Sequence, residues 1–122
     1  MQRSKVLLAL AALAHEARLD LVRLLMPMGE AGLAAGEIGR ALGLPAPRLS
    51  FHLAALEQAG LIRSRRAARN VIYSIDATRM GQTIGFLLND CCRDNAEVQA
   101  CCRRDHGSVP REAEAISLLP GL

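Results

Sequence analysis

At Gly60 the periodicity of this chain changes, and the change limits the folds open to it. Upstream, Leu49, Leu53 and Leu56 recur at helical spacing from Arg48 to Ala59, and Gly60 supplies a C-terminal stop. Downstream, Leu61-Ile62-Arg63-Ser64-Arg65 and Val71-Ile72-Tyr73-Ser74-Ile75 are β-branched or alternating runs. They flank Arg66-Ala67-Ala68-Arg69-Asn70, which predicts a hairpin with a basic tip. Earlier, residues 4–26 read as helical, with Leu7, Leu10, Leu13, Leu21, Leu24 and Leu25 on repeating turns. Pro27 and Gly29 stop that run, Met28 to Gly32 form a loop, and a short helix fits about 34–42, ending at Gly43. Pro47 cannot sit in a helix interior but suits a first turn. Asp76 can cap a final helix that passes Met80, Ile84, Leu87 and Leu88 toward Cys91. Beyond Asp105 the chain reads as loop, with Glu112–Leu119 able to form a short helix.

The expected fold is therefore mainly α with a small β-hairpin. Two short helices separated by Gly43-Leu44-Pro45, followed by an arginine hairpin, make a winged helix-turn-helix. In that arrangement the second helix enters the major groove, which is wide enough to admit it. The charge distribution points the same way. Residues 1–60 carry six Lys/Arg against five Asp/Glu, and residues 77–122 carry five against six. The segment 61–76 holds Arg63, Arg65, Arg66 and Arg69 against Asp76 alone, so the net excess of +3 lies there. Such a concentration fits a surface that contacts the phosphates of double-stranded DNA, with a merely solvated charge run as the alternative that charge alone leaves open. Outward residues of the second helix are expected at Arg48, Ser50 and His52, with Gln58 further along. Arg can bond guanine bidentately, while Ser and His can reach bases or phosphates. On spacing alone, His52 fits a packing role equally well.

The stretch from Leu44 to Ile62, with Ser50-Phe51-His52-Leu53 and then Leu56-Glu57-Gln58-Ala59-Gly60-Leu61, resembles the recognition-helix signature of the ArsR/SmtB family. Leu13-Ala14-His15-Glu16-Ala17-Arg18-Leu19-Asp20-Leu21-Val22 resembles its other signature, near the start of the second helix. The likeness covers about residues 6–90. It implies a homodimeric bacterial repressor, paired through its first and last helices, that leaves a pseudo-palindromic operator when an inducer binds. By position, Ser50 and His52 match residues near the DNA in the family, and Arg65, Arg66 and Arg69 match its wing. Pro45 and Ala46 depart from the polar residues common there, and Ala67-Ala68 lacks the frequent glycine. The resemblance divides the chain into a DNA-binding and dimerisation domain at 1–90 and a sensor tail at 91–122.

All four cysteines, Cys91, Cys92, Cys101 and Cys102, lie within twelve residues of that tail. Thiolates are soft ligands, suited to zinc, copper(I) and heavier thiophilic ions. The family's arsenic-responsive subset resembles Cys-Val-Cys-Asp-Leu before the recognition helix, but here Ala34-Ala35-Gly36-Glu37-Ile38 stands in that place. Its zinc-sensing subset uses Asp, His and Glu along the last helix, and Asp90 with His106 cannot rebuild that set. A tail with adjacent cysteines resembles a second arsenic-responsive subset. It implies trivalent arsenic (arsenite or methylarsenite) or antimonite held by three thiolates: Cys91, Cys92 and one of Cys101 and Cys102. Four thiolates could instead take zinc, cadmium or lead tetrahedrally, act as a redox switch, or clip the tail structurally. No resident cofactor is required. In a continuous helix Cys91 and Cys101 would lie about 15 Å apart along the axis, so one ion cannot join them unless the helix breaks or a partner chain contributes. Asp94-Asn95 is the expected break, since both residues favour caps and turns.

A thiol enzyme would want an activated thiolate at a helix N-terminus or in Cys-x-x-Cys. These pairs are adjacent and follow a helix C-terminus, where the dipole disfavours an anion, so no enzyme activity is expected. Val6–Leu13 is too short to span a membrane, and the expected location is the cytoplasm, where thiols stay reduced.

Overall fold

In the computed structural model, which describes residues 1–102, the leucine-rich N-terminal stretch forms two helices rather than one: α1 (Arg3–Leu13) and α2 (Glu16–Leu25). Ala14 leaves helical geometry at φ −78°, ψ 55°. His15 then adopts an extended conformation, and its Nδ1 accepts the Ala17 N–H at 3.1 Å, which makes it the N-cap of α2. Apolar periodicity runs through this break without interruption, and histidine is not among the favoured capping residues. That is why the sequence reads as one continuous helix.

After α2, a 3₁₀ turn (Met26–Ala31) leads through Gly32 into a two-residue strand, β1 (Leu33–Ala34). This strand is an addition to the expected architecture. It pairs antiparallel with β3 (Asn70–Ile75), in the register Leu33↔Tyr73 and Ala34↔Ile72, so the hairpin is extended to a three-stranded sheet of order β1-β3-β2. Gly32 sits at φ +62°, and a Cβ there would overlap the Tyr73 carbonyl oxygen. Only glycine allows the chain to approach β3 this closely.

Helix α3 (Ala35–Leu42) starts where the Glu37 carboxylate accepts the Ala34 N–H at 3.0 Å. It ends at Gly43, which takes the left-handed conformation that a side chain resists. Helix α4 (Ala46–Gln58) follows, with Pro47 in its first turn as expected. Strand β2 (Ile62–Ala67) and β3 form the wing, with Ile62 opposite Ile75 and Ala67 opposite Asn70. Asp76 caps α5 (Ala77–Phe86), its Oδ1 accepting the Arg79 N–H at 3.0 Å. Leu21, Leu25, Ile38, Leu56, Leu61 and Ile62 are buried from every side, joined by Ala9 and Ala12 of α1. Each such leucine or isoleucine contributes about 1.5–3 kcal/mol through burial. With so few aromatics the core is aliphatic, and half-buried Tyr73 packs at its edge.

Met1–Phe86 is one compact unit and a second begins at Leu87, earlier than the 90/91 boundary read from the sequence. The second unit opens with a π-helical turn, Leu87–Cys91, in which the Cys92 N–H reaches the Leu87 carbonyl at 2.8 Å. Arg93 and Asp94 then take positive φ (51° and 59°), and Asn95 caps α6 (Ala96–Cys102) by accepting the Val98 N–H at 3.0 Å. The chain thus breaks between the two cysteine pairs, at the residues expected. Neither the π turn nor α6 contains a buried residue. His106, the loop beyond Asp105 and the short helix at 112–119 lie outside the described residues.

Candidate nucleic-acid interface

Helix α4 buries Leu49, Leu53 and Leu56 against the core, which fixes its rotation. Arg48, Ser50 and Gln58 are consequently exposed, as a reading face requires. His52 is not. It lies three residues after Leu49 and four before Leu56, on the inward stripe, and only 4 % of its surface is open. The expectation that His52 faces outward is corrected on that ground. Its Nδ1 accepts the Arg18 Nε–H at 3.2 Å, and its ring lies 4.5 Å from that of His15. Burial lowers its pKa below the usual histidine value, and the nearby His15, Arg18 and Arg48 lower it further. His52 is a neutral packing residue that joins α4 to the start of α2.

Two participants escaped the sequence reading. Phe51, directly beside Ser50, is 65 % exposed, which is unusual for a phenylalanine in so small a chain. The Arg18 guanidinium lies 5.5 Å from the centre of its ring, close enough for a cation–π contact. Arg18 therefore serves both sides of α4, holding His52 inside and Phe51 outside. Both residues stand within the signature stretches, but only the three-dimensional structure shows that they touch.

The wing is fastened to the same body at several points. Ser64 Oγ donates to Glu57 Oε2 at 2.6 Å, linking β2 to the last turn of α4. Arg65 Nη2 donates to the Ala31 carbonyl at 2.9 Å and the Glu30 carbonyl at 3.4 Å. Arg65 is exposed, yet part of its donor capacity anchors the wing to the 3₁₀ turn. Arg66, Arg69 and the additional Arg63 are exposed along the hairpin. At the tip, Ala68 occupies φ +56° in the two-residue connection between Ala67 and Asn70. This is the position where a tight hairpin turn favours glycine. The missing wing glycine is thus felt as local backbone strain.

All four cysteines are free: Cys92 is half-buried, and Cys91, Cys101 and Cys102 are exposed. Among the described residues, no three His, Cys, Asp or Glu side chains gather closely enough to hold a metal ion. The expected three-thiolate set is therefore not preassembled there. Also among the described residues, no helix is long and apolar enough to cross a membrane.

A family model described as a helix-turn-helix domain matches residues 13–65. The chain is 40 % identical over 83 residues to the HTH-type transcriptional regulator YgaV of Escherichia coli strain K12, covering 68 % of this chain and 82 % of YgaV. It is 31 % identical over 103 residues to a probable mercury resistance operon repressor of Streptomyces lividans, covering 84 % of this chain and 76 % of that one. Among solved structures, reduced HlyU from Vibrio cholerae N16961 superposes with a TM-score of 0.56 at 29 % identity, over 72 % of this chain and 90 % of HlyU. An ArsR-like transcriptional regulator from Rhodococcus sp. RHA1 shares the fold, with a TM-score of 0.63 at 22 % identity, over 80 % of this chain and 90 % of that chain.

Proposed function

The chain belongs to the ArsR family of winged-helix transcriptional regulators, and we propose that it is a homodimeric repressor released from its operator by a thiophilic inducer bound at residues 91–102. DNA reading is assigned to Arg48 and Ser50 on α4, with Arg65, Arg66 and Arg69 on the wing holding phosphates. The observation that carries this is the shared fastening of α4 and the wing. The Glu57–Ser64 bond and the Arg65 clamp hold an exposed helix face and an exposed row of arginines on one rigid body. Preset spacing of this kind suits a groove and its flanking backbone. Pairing through α1 and α5 is supported by the large apolar side chains that they leave open, Leu7 and Leu8 on α1 and Ile84 on α5.

For the inducer, trivalent arsenic or antimony bound by Cys91, Cys92 and one of Cys101 and Cys102 is the leading reading. Four free thiols within a short segment whose helices bury nothing are accessible to such an ion. A divalent soft ion is the second reading, favoured by the similarity to the mercury resistance repressor. Mercury(II) needs only two thiolates, so one adjacent pair or one residue from each pair would suffice. Cadmium, lead or zinc on four thiolates, and oxidation of the same cysteines, are the remaining forms. Whatever the inducer, it releases DNA only by binding the free dimer more tightly than the DNA-bound one. Moving operator occupancy from 99 % to 1 % takes about 10⁴-fold preference.

The test is operator release from the reduced protein, titrated with arsenite, methylarsenite, antimonite, mercury(II), cadmium and zinc. Arsenite or antimonite should release DNA at the lowest concentration. Cys91→Ser and Cys92→Ser should bind the operator normally and fail to release. Release by arsenite persisting in both single variants rejects the assignment.

A further inference from the structure

With His52 turned inward, the outward face of α4 is left with few polar readers. Its exposed side chains are Ala46, Pro47, Arg48, Ser50, Phe51, Ala54, Glu57 and Gln58. Of these, Phe51 presents the largest apolar surface, and it is not free to fold back onto the core. The Arg18 guanidinium stands over one face of the ring, and the buried His52 ring meets it edge-on at 5.5 Å between centroids. An aromatic side chain held in one orientation and left mostly in water forgoes the burial it could otherwise have. A protein–DNA groove offers an apolar partner that suits it, the C5-methyl group of thymine, which projects into the major groove and marks T·A against C·G.

Resting on the reading that α4 enters the major groove, we propose that Phe51 is a specificity-determining residue that selects thymine at one base pair of each half-site by contacting its methyl group, with Arg18 as the residue that positions the ring. Ser50 and Arg48 then supply hydrogen bonds on either side of an apolar contact. Arg18 has a second consequence here. Its charge sits near the DNA while its Nε–H remains committed to His52, so it orients the ring without competing for the base.

Selection of random duplexes with the full-length dimer, followed by the same selection with Phe51→Ala, tests this. The wild type should return a two-fold motif with a required thymine in each half-site. Phe51→Ala should keep the rest of the motif and lose preference at that position alone. Because Phe51 is mostly exposed, Phe51→Ala should lose only the modest stability of its Arg18 contact and stay folded; a second measurement leaves the protein unchanged in any case. Replacing that thymine by deoxyuridine removes only the methyl, and should weaken wild-type binding by about fourfold per half-site. The same replacement should leave Phe51→Ala unaffected. A motif identical for both proteins, or wild-type binding indifferent to the methyl, overturns the role of Phe51 while DNA reading by α4 stands. Failure of the wild type to enrich any duplex overturns the reading of α4 itself.

Discussion

The two compact units of this chain handle their functional residues in opposite ways. In Met1–Phe86 the exposed side chains around α4 and the wing are held by neighbours: Phe51 by Arg18, Arg65 by two carbonyls, Ser64 by Glu57. From Leu87 to Cys102 the cysteines stand on a π turn and a seven-residue helix without a buried residue, separated by two residues at positive φ. The first arrangement is organised before DNA arrives, so little side-chain freedom is lost on binding. The second would leave that cost to any ion the cysteines took up, because the ion's own affinity would have to order the thiolates. A regulator gains from this division. On the proposed reading, DNA affinity is set by structure and the response to an inducer by chemistry.

The largest break in this comparison should come from core truncation. Leu56→Ala removes a fully buried side chain and should cost about 2–5 kcal/mol in urea unfolding. Val98→Ala on α6 should change stability by less than about 0.5 kcal/mol. Equal losses would mean that the cysteine segment is packed, and the contrast would fail. Next in size, Arg18→Ala leaves His52 Nδ1 buried without its donor and should cost about 1–3 kcal/mol. The same change should also blunt thymine selection.

A salt titration sharpens the contrast on the DNA side. Arg66→Ala and Arg69→Ala should each reduce the slope of log affinity against log salt by about one, with little effect on sequence preference. Cysteine-to-serine variants should leave that slope unchanged. The pH dependence follows from His52. Its folded pKa is lowered, so the unfolded chain holds the proton more tightly. Its contribution to stability is complete above the unfolded value of about 6.5 and is lost as pH falls through it. Urea midpoints should therefore drop between pH 7.5 and 5.5, and His52→Gln should flatten that drop. The smallest effect should be a gain. Ala68→Gly relieves the positive φ at the wing tip and should stabilise by about 0.5–1 kcal/mol in thermal melts.

Much of the reading unit was written in local chemistry. Gly43, Pro47, Gly60 and Asp76 each mark an element boundary through a backbone preference that depends on one residue and its neighbours. The hairpin followed from its period, and its basic tip from composition. Features decided by distant residues were not accessible in this way. A two-residue β1 has no periodicity, and exists because Gly32 lets it reach β3. The break at His15 has no glycine or proline to announce it. His52 is instructive because its signal was present: the spacing to Leu49 and Leu56 places it on the buried stripe, but its polarity and its match to the family signature suggested the outer face. For the cysteines, the sequence supplied the break at Asp94-Asn95, yet ligand geometry cannot be read where no ligand-free cluster forms among the described residues.

The pairing of Leu33 with Tyr73 also sets an order of events during synthesis. It closes a loop that contains α3, α4 and β2, so the sheet cannot form until the ribosome has released residues about forty positions downstream of β1. Loop closure over that length is a modest entropic cost but a slow one compared with helix formation. The helices and the β2–β3 hairpin are local and can form early, while the pairing of β1 with β3 closes over a longer stretch of chain. A chain truncated within β3 should retain helical content and lack a fixed reading head.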